Sequence, residues 1–577
     1  MITRERVEHF LPVAAWGRHY DRAHLRGDLS AGVTVGVMLI PQGMAYAMLA
    51  GLPPIHGLYA ALVPLLLYAL LGTSRQLAVG PVAIVALMVA AGVGTLAEPG
   101  TPEYIGLAIL LALMVGTIQL AMGLLRMGFL VNFLSHPVVS GFTSAAALII
   151  GLSQLQHLFG VSLPGDNQAH MILYHLALEI LSIHPPTLLI GSASIALLIL
   201  LRRWRRTFPA QIAVVAVAVV VTWGFGLHEQ GVRIVGTVPE GLPSFAVPAV
   251  DTDTLRALLP IALAIALVGF MESIAVAKAM VRRHRDYRLD ANQELIALGG
   301  ANLGGAFFQS FPVAGGFSRT AVNDQAGAKT GLASMVSAAM IAITLLFLTP
   351  LFTFLPTAVL AAVILVAVAG LIDVQEMRFL WRVRREDFLM LATTFMVTLF
   401  IGIEEGIATG VLLSLAMVIY RSTRPHVAVL GRLPGTDTYR NIRRFPEAEQ
   451  RDDLLIVRFD AQLYFANVDY FQDTLRRLEN EKAKPLRQVI IDAASMPSID
   501  ASGIHALTSV IGDYRRRGIA LALTGVLGPV RDALDRAGVV EYLGTENFYL
   551  DVPEAIACGI DGEERRPRTD YTLQHFG

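Results

Sequence analysis

Pro312-Val313-Ala314-Gly315-Gly316-Phe317-Ser318-Arg319-Thr320 breaks an apolar stretch with a proline, two glycines and an arginine, and Val79-Gly80-Pro81-Val82-Ala83 breaks another much earlier in the chain. A helix that crosses a bilayer core needs about 20 apolar residues. Neither segment offers that, and Pro81 stands at a natural first-turn position, where its missing N–H does no harm. Both read as short helices that start inside the apolar region instead of crossing it whole.

The chain around them is of membrane type. Its 577 residues are 54% hydrophobic and 16% charged, against about 25% charged in soluble proteins. The charge is unevenly placed: residues 1–421 hold 48 Asp, Glu, Lys and Arg, whereas the 156 residues of 422–577 hold 43. The first segment is lipid-solvated and the second water-solvated. A net charge of −1 excludes a globally basic nucleic-acid binder. The single cysteine, Cys558, excludes an intramolecular disulfide and a cysteine metal cluster. No metal or cofactor is expected.

Residues 1–28 carry Arg4, Arg6, Arg18, Arg22 and Arg26 without a short apolar core, which reads as a cytosolic leader and not a cleavable signal. Residues 29–421 offer fourteen span candidates, among them 79–97 and 315–327. Loops after even-numbered spans carry Arg75, Arg126, Arg202, Arg203, Arg205 and Arg206, then Arg282, Arg283, Arg285 and Arg288, then Lys329, then Arg378, Arg382, Arg384 and Arg385. The odd loops carry mostly acids, such as Glu98, Glu103, Asp166, Glu229, Glu240, Asp251, Glu404 and Glu405. By the positive-inside rule this alternation fits an even span number with both termini cytoplasmic.

In that arrangement each interrupted segment is the third span of a seven-span half. An odd number of spans per half inverts the second half relative to the first, giving a 7+7 inverted repeat. Interrupted segments at matching positions point to a transporter's binding site. Their N-termini, at Gly80 and Pro81 and at Gly315 and Gly316, would face each other near the midplane. Exposed N–H groups and positive dipole ends there make an anion site. The alternative is that these residues only permit close helix packing.

Ionisable residues within spans are functional candidates by default. Glu272 lies in Ala266-Leu267-Val268-Gly269-Phe270-Met271-Glu272-Ser273, and Arg319 opens the second short helix. Arg319 can fork two N–H bonds onto an oxoanion, or it can pair with Glu272 and merely staple two spans. Glu272 suits a proton-coupling carboxyl, or else a permanent counter-ion. Gln42, in Ile40-Pro41-Gln42-Gly43-Met44-Ala45-Tyr46-Ala47, can donate to the same ligand or to a neighbouring helix.

From Asp453 the pattern becomes soluble α/β. Leu454–Phe459, Val489–Asp492 and Ile519–Thr524 read as strands, with amphipathic helices over 467–482 and 502–517. Residues 451–560 suffice for one small domain. Residues 422–450, with Pro425, Gly431, Pro434 and Gly435, read as a linker, and 561–577 as a tail. Asp500 or Ser502 fits a helix N-cap, and no catalytic constellation emerges.

Gly27-Asp28-Leu29-Ser30-Ala31-Gly32, the Gln42 run, Gly51-Leu52-Pro53-Pro54, Gly57-Leu58-Tyr59, Gly72-Thr73-Ser74-Arg75, Val79-Gly80-Pro81 and Phe317-Ser318-Arg319-Thr320 together resemble the SulP family of sulfate permeases, and the cytosolic domain resembles a STAS domain. The resemblance implies core and gate domains, a homodimer, and elevator-like movement of sulfate, bicarbonate, chloride, oxalate or dicarboxylates. It places the substrate site at Gln42, Val82, Ala83, Ser318, Arg319 and Thr320, with Glu272 beside it. Sodium-coupled bicarbonate relatives carry Asp where Glu272 stands and Thr where this chain has Val276, so protons are favoured over sodium. Bacterial STAS regulators carry a phosphorylatable serine after the signature Asp, but Ala501 follows Asp500 here.

The expected function is therefore proton-coupled secondary transport of a small anion, sulfate first, in the cell (inner) membrane. An uncoupled channel or exchanger and a sodium-coupled bicarbonate transporter are the alternatives. Membrane lipid, and a cytosolic regulator docking on the STAS-like domain, are the further partners this reading implies.

Overall fold

The structure is a computed structural model that describes residues 11–18, 20–129, 135–163, 168–204, 209–284 and 287–559. The start of the leader, the loop residues Asp166, Arg205, Arg206 and Arg285, and the 561–577 tail lie outside the described residues. The chain divides into two compact units, one through Ser414 and one from Leu415.

The first unit is helical. Among the described residues, nine helices are long and apolar enough to cross a membrane, including His24–Leu49, Pro54–Leu71, Pro102–Leu124 and Thr252–Val281. Shorter apolar helices accompany them, one of which is Ala83–Val93. The helix over Arg22–Leu49 starts inside what the sequence suggested was a leader, because Asp21 accepts from the His24 N–H at 2.7 Å and caps it. Asp28 is buried within it, accepting from the Lys329 and Thr330 N–H groups at 2.7 and 3.0 Å. Residues 22–28 therefore belong to the membrane unit.

Glycines permit close helix crossings. A Cβ on Gly116 would lie 2.3 Å from the Leu303 nitrogen, and one on Gly299 would lie 2.5 Å from the Leu120 nitrogen. Helices Pro102–Leu124 and Ala291–Ala306 thus touch backbone to backbone, as small residues allow in membranes.

The two interrupted segments fold alike. β1 (Val79–Gly80) and β2 (Ala314–Gly315) pair antiparallel, Val79 opposite Gly315 and Gly80 opposite Ala314. Each leads into a short helix, Ala83–Val93 of 11 residues and Phe317–Gln325 of 9. At ~1.5 Å per residue neither can span a core of about 30 Å alone.

The second unit carries a six-stranded sheet in the order β4-β3-β5-β6-β7-β8. Its strands are β3 (Val427–Arg432), β4 (Tyr439–Asn441), β5 (Leu454–Phe459), β6 (Gln488–Asp492), β7 (Ala520–Thr524) and β8 (Phe548–Tyr549). The pairs from β5 to β8 are parallel, with helices Val468–Asn480 and Ala501–Arg516 as crossovers. Alternation divides the strands between two cores: Leu455, Val457, Phe459, Val489 and Ile491 face one side, while Leu454, Ile456 and Ile490 face the other. Asp500 caps Ala501–Arg516, accepting from the Gly503 N–H at 2.8 Å.

The suggested linker over 422–450 is not one throughout. β3 and β4 pair antiparallel, and β3 continues onto β5. Pro434 and Gly435 supply the turn of that hairpin, which is why the segment has a linker's composition.

Candidate functional site

The paired strands β1 and β2 set where the two short helices begin. Their N-cap residues are Val82 and Gly316, and neither helix has a side-chain cap. The first N–H groups of both helices therefore lack an intrahelical acceptor, and each helix contributes its positive dipole end. Gly80, Pro81 and Gly315 lie just before the helices, and Val82 and Ala83 are buried at the first start.

Fixed polar contacts hold this geometry. Ser273 Oγ donates to the Gly269 carbonyl at 2.6 Å and accepts from the Gly315 N–H at 2.8 Å. Asn302 accepts from the Val313 N–H at 2.8 Å. The Ala78 N–H donates to Thr320 Oγ1 at 3.0 Å, and Asn323 Nδ2 donates to the Gln76 carbonyl at 2.9 Å. At the far end of the second short helix, Asp324 accepts from Arg283 at 2.6 Å and contacts His284 Nε2 at 2.5 Å. The helix that carries Glu272 is thereby tied to the helix that carries Arg319.

Arg319 is only 2% exposed. Its Nη1 donates to the Pro81 carbonyl at 2.5 Å, whereas Nε and Nη2 have no partner. A Cβ on Gly316 would lie 2.8 Å from Arg319 Nη2, so glycine at that position leaves room for the guanidinium. A buried cation with idle donors is costly unless a ligand or water meets it.

Glu272 Oε2 and Gln42 Oε1 are likewise buried without a partner. Among the described residues no ion pair within 4.0 Å joins Glu272 to Arg319, so the direct staple is not formed. The two charges and Tyr46 are nevertheless within electrostatic reach of one another. Helices Arg22–Leu49 and Thr252–His284, which carry Gln42 and Glu272, each pack against both short helices.

Not every expected residue converges on this point. Ser318 is exposed, and the Thr320 oxygen is engaged with Ala78. Tyr46, Ser273 and Asn302 gained no role from sequence alone. Ser273 had the one available signal, a hydroxyl beside the intramembrane Glu272.

A model described as the sulfate permease family matches residues 25–394, and a STAS domain model matches residues 445–555. The chain belongs to the sulfate permease family. Sulfate transporter 4.1, chloroplastic, from Arabidopsis thaliana is 41% identical and covers 95% of this chain and 82% of its own length. A probable sulfate transporter from Mycobacterium tuberculosis is 36% identical, covering 93% of this chain and 96% of its own. Murine Slc26a9, an anion transporter solved in its inward-facing state, superimposes with a TM-score of 0.88 at 26% identity over 96% of this chain and 95% of that one. The sulfate permease family is one of membrane transporters and not of enzymes, and this member is a multi-pass membrane protein with a C-terminal STAS domain.

Proposed function

We propose that this protein is a secondary active transporter of small oxoanions, with sulfate as its first substrate and protons as the coupling ion. The observation that carries the reading is Arg319, buried between two uncapped helix starts with Nε and Nη2 unpartnered. Such a site offers a forked cation and backbone N–H groups to a tetrahedral oxoanion. Gln42, Val82, Ala83, Ser318 and Thr320 are the other residues this reading assigns to the substrate site, Ser318 from an exposed position and Thr320 with its hydroxyl accepting from the Ala78 N–H. The names of the sulfate transporter relatives favour sulfate among the anions this chemistry would accept.

Glu272 carries the coupled proton in this scheme. A proton moving inward with a dianion offsets part of the charge that the membrane potential opposes. Val276, an apolar residue one turn beyond Glu272, supplies no oxygen ligand for sodium. The transporter works as a homodimer in the cell membrane with both termini cytoplasmic, moving the paired short helices and the helices around them as an elevator. The loop arginines support that orientation.

The test is uptake into proteoliposomes of labelled sulfate, a C4-dicarboxylate and bicarbonate, at two external pH values, with and without sodium. Sulfate uptake should rise at acidic external pH and be indifferent to sodium. Sodium-dependent bicarbonate uptake with no sulfate uptake would overturn the proposal, and conductance at channel rates would replace coupled transport by a pore.

A further inference from the structure

The second unit contains a cleft of about 290 Å³ that the helical site does not use, lined by His426, Arg440, Arg444, Phe445, Arg458 and Asp460. Inside it, Arg458 and Asp460 neutralise each other through bonds of 2.6 and 3.2 Å. His426 Nδ1 completes the cluster at 2.7 Å from Asp460 Oδ2. The guanidinium groups of Arg440 and Arg444 have no carboxylate or hydrogen-bond partner among the described residues.

Those two free arginines are unlike many others of this unit. Arg432, Arg451, Arg477, Arg487, Arg516 and Arg517 each have a carboxylate oxygen within 4.0 Å. The free pair shares a concavity because of local structure. Arg440 lies on β4 opposite Gly431, and the Arg444 N–H donates to the Asn441 carbonyl at 2.9 Å in the turn that follows. The cleft thus faces three guanidinium groups against Asp460, with Asp492 the further acid in electrostatic reach of Arg458 and Asp460. Three guanidinium groups against two carboxylates leave the balance positive.

We propose that this cleft is a binding site for a phosphate monoester or inorganic phosphate. A monoester carries about −1.5 to −2 charge at neutral pH, which matches the two unopposed arginines. Guanidinium forks suit its tetrahedral oxygens. The cavity lies at the small end of ligand sites, which run from about 300 to 1,000 Å³, and so admits a phosphate or a compact headgroup. Phe445, 37% exposed, supplies an apolar flank.

The phosphate has two possible sources. It is free in the cytosol, or it belongs to a lipid headgroup, since His426 follows the end of the last apolar helix, Ile403–Thr423, by three residues.

The test uses the full chain in nanodiscs, in an Arg319→Ala background that silences the helical site. One arm titrates inorganic phosphate into phosphatidylcholine nanodiscs, and the other places phosphatidylinositol 4-phosphate in the bilayer. Both read the phosphorus NMR line of the added phosphate group. Arg440→Ala with Arg444→Ala should weaken binding at least tenfold, and the corresponding double lysine variant should keep part of it. Loss in the first arm identifies free phosphate, and loss confined to the second identifies the headgroup. Equal line widths and shifts with and without the two arginines in both arms would overturn the proposal.

Discussion

Arg319 donates through Nη1 to the carbonyl of Pro81 at 2.5 Å, across 238 positions of sequence. The cation of one short helix is thereby anchored to the turn that starts the other, and the guanidinium is held with Nε and Nη2 unpartnered. One bond both aims the charge and fastens the two helix starts together.

Arg319→Lys should therefore keep a positive charge and lose the fork. Sulfate affinity should fall about tenfold or more, ~1.4 kcal/mol, and Arg319→Ala should fall further. Gly316→Ala should imitate the lysine variant without removing any charge, because its Cβ would lie 2.8 Å from Arg319 Nη2 and push the guanidinium off Pro81. Equilibrium sulfate binding to purified protein checks all three. Wild-type affinity in Arg319→Ala would return Arg319 to a packing role.

Glu272→Gln keeps the side chain's size and removes its ability to ionise. Anion exchange should persist in proteoliposomes, while the dependence of net sulfate uptake on external pH should disappear. Retained pH dependence would take the coupling role away from Glu272.

Much of this site was legible in the sequence, for physical reasons. Glycine and proline in an apolar stretch mark a helix start, so both short helices were visible at Gly80-Pro81 and Gly315-Gly316. Charges in lipid are rare, so Glu272 and Arg319 stood out. The partner of Arg319 was not legible, because a backbone carbonyl looks the same at every position. The nearest acid in the reading was Glu272, yet the bond goes to Pro81. Ser273 and Asn302 escaped notice because a hydroxyl or amide in a span is common in membrane helices. In the second unit the short apolar runs of β5 and β6, buried on both faces of the sheet, were plain, whereas β3 and β4 were hidden by the Pro434-Gly435 turn between them.

Gly299→Ala should disrupt the membrane unit, since its Cβ would lie 2.5 Å from the Leu120 backbone nitrogen, which cannot swing away as a side chain would. Gly106→Ala, on the same partner helix with nothing within 4 Å, should be silent. Overpacking of this kind costs about 1–3 kcal/mol or more. Monodispersity and thermal unfolding of the two purified variants separate them, and equal behaviour would show that the crossing can relax.

Asp460 links the stability of the second unit to the proposed phosphate cleft. Partial burial pushes its carboxyl up, but hydrogen bonds from Arg458 and His426 more than offset this and hold it below the usual carboxylate range. A depressed folded value means stability that is present above the unfolded value near ~3.9 and lost as pH falls through the folded one. Asp460→Asn should therefore lower the hydrogen-exchange protection of Leu454–Phe459 at neutral pH, by about tenfold, ~1.4 kcal/mol. The variant and the parent should converge in acid. The same substitution leaves Arg458 without its carboxylate, so inorganic phosphate should bind the cleft more tightly while the strand beneath it becomes less stable. A generally loosened domain would lose both properties together, so opposite signs for stability and phosphate affinity distinguish a charge effect from damage to the fold.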